Sequence, residues 1–215
     1  MFANLLGNSN SPGLIHDALG EVYRMLQQEE GMFASASDAF LTGEVPTLDL
    51  AKQDQDINLG ERLVRRLVIE HLTLNPQQDL PISLALISII HDVERIGDYT
   101  KSLAELAQLR PPIMQNGIYA DQSREIQAAI SPLFATTLEA FKESDEELAR
   151  EVMEKHRAIK ELTDKILQDA LADPTSQKDA LFYSVGSRFF RRISAHLSNI
   201  ASSICNAFDQ LGRNS

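Results

Sequence analysis

The stretch Asp92-Val-Glu-Arg-Ile-Gly-Asp98 places two carboxylates, Glu94 and Asp98, four residues apart inside an apolar-seamed segment. On a helix that spacing puts both on one stripe. Upstream, Asp54, Asn58 and Glu61 form a second polar stripe beside Ile57. If the two segments are antiparallel neighbours, their flanks face one another and gather four carboxylates and an amide oxygen. Like charges packed that closely raise each other's pKa, so a cation has to hold them ionised. A metal ion is one answer, and all-oxygen ligation favours iron(III), manganese or magnesium over a thiolate-type zinc site. The basic side chains Arg62, Arg65 and Arg95 are the other. His91, one turn before Glu94, offers a nitrogen, although a lone helical histidine is more often solvated.

Prolines and small polar clusters divide the chain into segments of helical periodicity, and no stretch sustains the alternation of a strand. A first helix begins near Pro12-Gly13 on a seam of Ile15, Ala18, Val22, Met25, Met32 and Ala36, and stops before Thr42-Gly43. A second runs from about Thr47 to Leu74, seamed by Leu50, Ile57, Val64, Leu67 and Leu74. Asp79 and Pro81 open a third in cap-then-proline order. Its seam of Ile82, Leu86, Ile89, Val93, Ile96, Thr100, Leu103 and Ala107 has the three-four spacing of long helices packed at shallow angles. Arg110-Pro-Pro112 ends it.

A fourth helix spans about Ala120 to Phe141, with Pro132 expected to kink or interrupt it. Ser144-Asp-Glu-Glu147 reads as a capping box that opens a fifth, reaching about Leu171. Asp173-Pro174-Thr175 separates it from a sixth, about Ser176 to Leu211, which turns Phe182, Val185, Phe189, Ile193, Ile200 and Ile204 inward.

The halves resemble each other. The run from Val93 to Ala104 aligns without a gap on the run from Phe190 to Ala201, and in the same register Asp54-Gln-Asp-Ile57 falls on His156-Arg-Ala-Ile159. The expected fold is therefore all-α, six long helices as two tandem three-helix bundles. Residues 1–12 are expected to be a flexible N-terminus, 13–111 the first unit and 112–211 the second. Helices near 30 residues would be about 45 Å long, which makes for an elongated molecule.

The Asp92–Asp98 stretch, preceded by Asp54-x-x-x-Asn58-x-x-Glu61 in a duplicated helical chain, resembles the PhoU family of phosphate-signalling proteins. The resemblance covers nearly the whole chain and implies tandem three-helix repeats. It also implies metal ions, iron or zinc in some members, at the matching acids: Glu94 and Asp98 foremost, with Asp54, Asn58 and Glu61 in support. The second half departs from that pattern, with His156, Lys160 and Thr163 on one helix and Arg191 and Ala195 on the next. No metal is expected there. Lys160 and Arg191 are instead candidates for contact with an anion or an acidic partner.

What the resemblance implies functionally is a regulatory adaptor of phosphate uptake. It would link the ATPase of a phosphate ABC transporter to a phosphate-sensing histidine kinase, or alternatively serve a sodium–phosphate cotransporter; a homodimer is a further candidate assembly. No Ser-His-Asp nucleophile context, glycine-rich phosphate loop, CxxC or HExxH competes with that reading. A carboxylate-metal enzyme or iron-storing protein ranks low, because the Glu-x-x-His pairs of di-iron bundles are absent from both stripes.

Composition agrees. The formal charge of −11 argues against nucleic acid and for basic partner surfaces. Only 10 glycines and 6% aromatic residues favour helix. The single cysteine, Cys205, lies in apolar helical surroundings and reads as a small core residue in a reducing compartment. The most apolar run, from Leu80 to Ile90, is about half a bilayer span, and the first residues lack the pattern of a secretory signal. The expectation is a cytoplasmic protein without direct membrane insertion.

Overall fold

Six helices account for nearly all of residues 13–76, 78–110, 117–173 and 177–205, which the computed structural model describes, and no strand occurs among them. They are α1 (Leu14–Thr42), α2 (Leu50–Leu74), α3 (Leu80–Gln108), α4 (Ile118–Glu143), α5 (Glu146–Ala172) and α6 (Gln177–Cys205). The expected flexible segment 1–12, the Pro111-Pro112 stop, the Pro174-Thr175 break with Ser176, and the last turns of the sixth helix over 206–211 lie outside the described residues.

Local chemistry explains the boundaries and corrects some of them. Gly43 ends α1 in the left-handed region at φ 79°, its N–H donating to the Ala39 carbonyl, a conformation that glycine adopts without steric cost. Asp49 caps α2 by accepting from the Lys52 N–H, so the helix starts later than Thr47. Asp79 precedes Pro81 as expected but makes no cap bond; its carboxylate lies 3.5 Å from Nε2 of His71 instead. Ser144 is not a cap either. It ends α4 at φ 55°, and Asp145 caps α5 by accepting from the Glu147 and Leu148 N–H groups. The expected interruption at Pro132 does not occur. Pro132 and Ala128, whose carbonyl loses its helical partner, both lie on the exposed face of a continuous α4.

The helices α1, α3, α6 and α4 form a closed ring of neighbours, with α2 outside against α1 and α3, and α5 outside against α4 and α6. Aromatic rings join the two sides of that ring. Phe33 of α1 meets Phe134 of α4 at 5.3 Å and Phe190 of α6 at 5.9 Å, while Phe40 of α1 stacks on Phe182 of α6 at 4.8 Å. Each such pair adds about 0.5–1.5 kcal/mol beyond its buried area. One apolar cluster therefore runs through all six helices.

Polar bonds pin the register between the halves. Gln127 donates to Ser37 Oγ at 2.9 Å and to Asp38 Oδ1 at 2.8 Å. Asp92 Oδ1 accepts from Asn199 Nδ2 at 2.8 Å and lies 2.7 Å from His196 Nδ1.

The α1 and α3 seams are buried residue for residue as the periodicity predicts. Two others shift. On α2, Leu74 is 67% exposed and Leu67 half-buried; Val68 and His71 turn inward instead. On α6 the buried track is Tyr183, Gly186, Phe190, Ile193, Leu197 and Ile200, leaving Val185 and Phe189 half-buried. Gly186 is the cause: a Cβ there would stand 2.2 Å from Cζ of Phe40, so the missing side chain is the seat of that ring. Cys205 is half-buried, not a core residue, its thiol 3.5 Å from the Glu146 carbonyl.

The Phe40 ring is buried and stacked on Phe182. Gly186→Ala should therefore lower stability by about 1–3 kcal/mol in denaturant unfolding, against a helix-propensity gain of about 1 kcal/mol. An unchanged midpoint would show that the ring can yield.

Candidate carboxylate site at the junction of α1, α2 and α3

The antiparallel packing of α2 on α3 sets Asp54 opposite Asp98 and Lys101, and Glu61 near enough to Glu94 to act on its charge. The flanks do face each other, but Asp54, Asp98 and Glu61 are each served by a basic side chain. Lys101 Nζ donates to Asp54 Oδ2 at 2.7 Å and lies 3.9 Å from Asp98 Oδ1. Arg95 donates to Asp98 Oδ2 at 2.9 Å, and Arg65 to Glu61 Oε1 at 2.8 Å. Asn58 donates to Asp54 Oδ2 at 3.4 Å, a long bond. Of the arginines named as neutralisers, Arg65 and Arg95 take that role, whereas Arg62 lines a surface groove with Arg66 and Ile69. His91 is half-exposed, its Nδ1 3.6 Å from Glu94 Oε2.

Two carboxylates remain poorly served. Glu94 Oε2 is buried without a hydrogen-bond partner, with Arg95 Nε at 3.7 Å. Burial raises the Glu94 pKa, the Asp98 charge adds to the rise, and Arg95 opposes it. Glu29 of α1 is 0% exposed, and neither of its oxygens has a hydrogen-bond partner. Gly97 on α3 lies beside it: a Cβ there would stand in ordinary contact with Glu29 Oε1 at 3.6 Å and Asp54 Oδ1 at 3.9 Å. Burial holds the Glu29 carboxyl well above the ordinary carboxylate range, the Gly97 backbone offsetting part of the rise and the Glu94 charge adding to it.

In chemistry this donor set fits a hard cation: oxygens only, some buried and unpartnered. In position it is held by the lysine and arginines, and among the described residues no three His, Cys, Asp or Glu side chains stand close enough to hold one ion.

The second unit carries different chemistry at the matching places. His156, aligned with Asp54, has Nδ1 3.0 Å from Oγ of Ser194, which is aligned with Gly97. Burial lowers the His156 pKa, and Arg191 and Lys160 lower it further. Arg191 is ion-paired with Asp164 of α5, an acid next to the expected position 163, so its charge is already matched. Lys160 is exposed, Thr163 donates to the Lys160 carbonyl, and Ala195 is half-buried.

Glu29 and Lys101 escaped the reading of the sequence, yet both left a signal. Glu29 interrupts the apolar seam of α1 between Met25 and Met32, and Lys101 continues the Glu94–Asp98 stripe by three residues.

Comparison with known proteins agrees with this architecture. A family model described as PhoU domain matches residues 22–107 and 124–204. A curated protein of Aquifex aeolicus (strain VF5), named phosphate-specific transport system accessory protein PhoU homolog, is 27% identical over 152 residues, 67% of each chain. The crystal structure of PhoU from Pseudomonas aeruginosa superposes with a TM-score of 0.81 at 20% identity, covering 94% of this chain and 98% of that one.

Glu29 makes stability depend on pH in a defined direction. Its folded pKa lies above its unfolded value, so the folded state holds the proton longer and stability falls as pH rises from the ordinary carboxylate range through the folded pKa. In unfolding measured with chelator across pH, Glu29→Gln should flatten that fall, the variant gaining on the wild type as pH rises. Parallel curves would mean that Glu29 does not carry it.

Proposed function

The chain belongs to the PhoU family, and on that premise we propose that it is a regulatory accessory protein of phosphate transport, acting by docking and not by catalysis. The observation that carries the reading is the family match over both halves, in a fold that superposes along nearly its full length on a PhoU structure. The expected partners are the ATPase of a phosphate ABC transporter and a phosphate-sensing histidine kinase. No helix among the described residues is long and apolar enough to cross a membrane, and the proposal assigns docking to the transporter's ATPase subunit in the cytoplasm. The charge of −11 favours basic patches on those partners, adding specificity and association rate more than affinity.

We extend the proposal to a cation held by Glu94 and Asp98, with Asp54, Asn58 and Glu61 in support, and to none in the second unit. The unpartnered oxygens of Glu29 and Glu94 support it. The ion would supply positive charge among carboxylates from neighbouring helices. Gly97 of α3 lies beside Glu29 there, and Ile57 of the core borders the same approach.

Protein purified without chelator should contain metal that Glu94→Ala/Asp98→Ala loses by elemental analysis; equal content in both would remove the site. Pull-down with the transporter ATPase, the kinase and a sodium–phosphate cotransporter should retain the first two. Retention of the cotransporter alone would overturn the partner assignment.

A further inference from the structure

We infer that the outward face of α2 is a docking surface for an acidic amphipathic helix of a partner protein. The inference rests on the docking reading above and gives it a place on the molecule. Leu59, Arg62, Arg66 and Ile69 follow one another at steps of three, four and three residues, which sets them on one helical stripe. All four are exposed, Leu59 by 60% and Ile69 by 62%. The stripe lies opposite Ile57, Val64 and Val68, the residues that bury α2 against α1 and α3. Packing within the chain therefore does not account for its apolar members.

Its cations are uncommitted. Arg65 alongside is paired with Glu61, but Arg62 and Arg66 have no ion-pair partner among the described residues, in a chain with 31 acidic side chains against 20 basic. Together with Ile69 and Glu70, the three arginines line a surface groove whose walls are almost wholly apolar. Arginine stems supply such surface while the guanidinium groups stay in water at the rim. The second unit shows that the fold does not require this face. In the register that sets His156 on Asp54, the outer helix α5 carries Glu161, Asp164 and Gln168 where α2 carries Leu59, Arg62 and Arg66.

An apolar groove rimmed by cations selects its occupant. A free phosphate gains nothing from apolar walls, and an anionic membrane would face the whole molecule, whose charge is −11. A helix that offers an apolar side chain and carboxylates one turn apart matches both features. Guanidinium forks bind carboxylates bidentately, and Arg62 and Arg66 themselves stand one turn apart. Charges further away than about 8 Å are screened at physiological salt, so a narrow segment meets the two arginines more than the net charge. Glu70, the acid in the lining, confines those carboxylates to the Arg62–Arg66 end.

The test places a photo-crosslinker on the full chain by Thr73→p-benzoylphenylalanine, at the next exposed position of the stripe, in the cells that make the protein. Irradiation should join it to a partner segment that carries carboxylates one turn apart beside apolar residues, as read by mass spectrometry. In the same chain, Arg62→Glu/Arg66→Glu should lower the crosslink yield at least about tenfold, with helical circular dichroism and melting temperature unchanged. Should that variant unfold, Arg62→Gln/Arg66→Gln replaces it, with the same expected loss. Crosslinking to a segment without acids, to a second copy of this chain or to lipid would overturn the inference, as would no crosslink or an equal yield from the charge variant. If pull-down still retains the transporter ATPase and the kinase when that happens, the docking reading stands; loss of both retentions overturns the two together.

Discussion

Negative charge set against a helical core is the constraint that organises the first unit, because an ionised carboxylate taken out of water costs several kcal/mol unless a cation or hydrogen bonds replace its hydration. The molecule meets that cost in three ways within one junction. Asp54, nearly buried, takes the Lys101 ammonium. Glu29, with no basic side chain on its oxygens, keeps its proton to higher pH than an ordinary carboxyl. Glu94 lies between these cases, with Arg95 supplying charge from beyond hydrogen-bonding range.

The long helix α3 makes the junction relevant to the rest of the molecule. One of its faces carries Glu94, Asp98 and Lys101 towards α2, and an earlier turn carries Asp92 to His196 and Asn199 of α6. Tyr99 then stacks on His196 at 5.6 Å. The same rigid element thus borders the carboxylates and clasps the second unit. With Phe33 and Phe40 reaching into that unit as well, the halves share a core and are not beads on a string.

Duplication followed by divergence is visible in the contacts themselves. The Gly97–Asp54 approach of the first unit becomes the Ser194–His156 contact of the second. A carboxylate that needs a cation has been exchanged for an imidazole that burial and two nearby cations keep from gaining one. The second unit keeps the packing and loses the demand for positive charge.

The sequence by itself determined the six helices, their two-fold repetition and the buried seams of α1 and α3, because a three-four apolar spacing leaves a helix one face to bury. It also determined that Glu94, Asp98, Asp54 and Glu61 share adjoining flanks, since both stripes lie beside seam residues. Tertiary structure decided what spacing cannot encode. The track of α6 turned on Gly186 receiving the Phe40 ring from a helix more than a hundred residues away. The boundary at Ser144 turned on a backbone conformation, not on the capping letters. The partners of the carboxylates, and the presence of Glu29 among them, depended on how three helices approach at Gly97. Periodicity assigns a residue to a face, whereas only packing in three dimensions sets the distances on which charge acts.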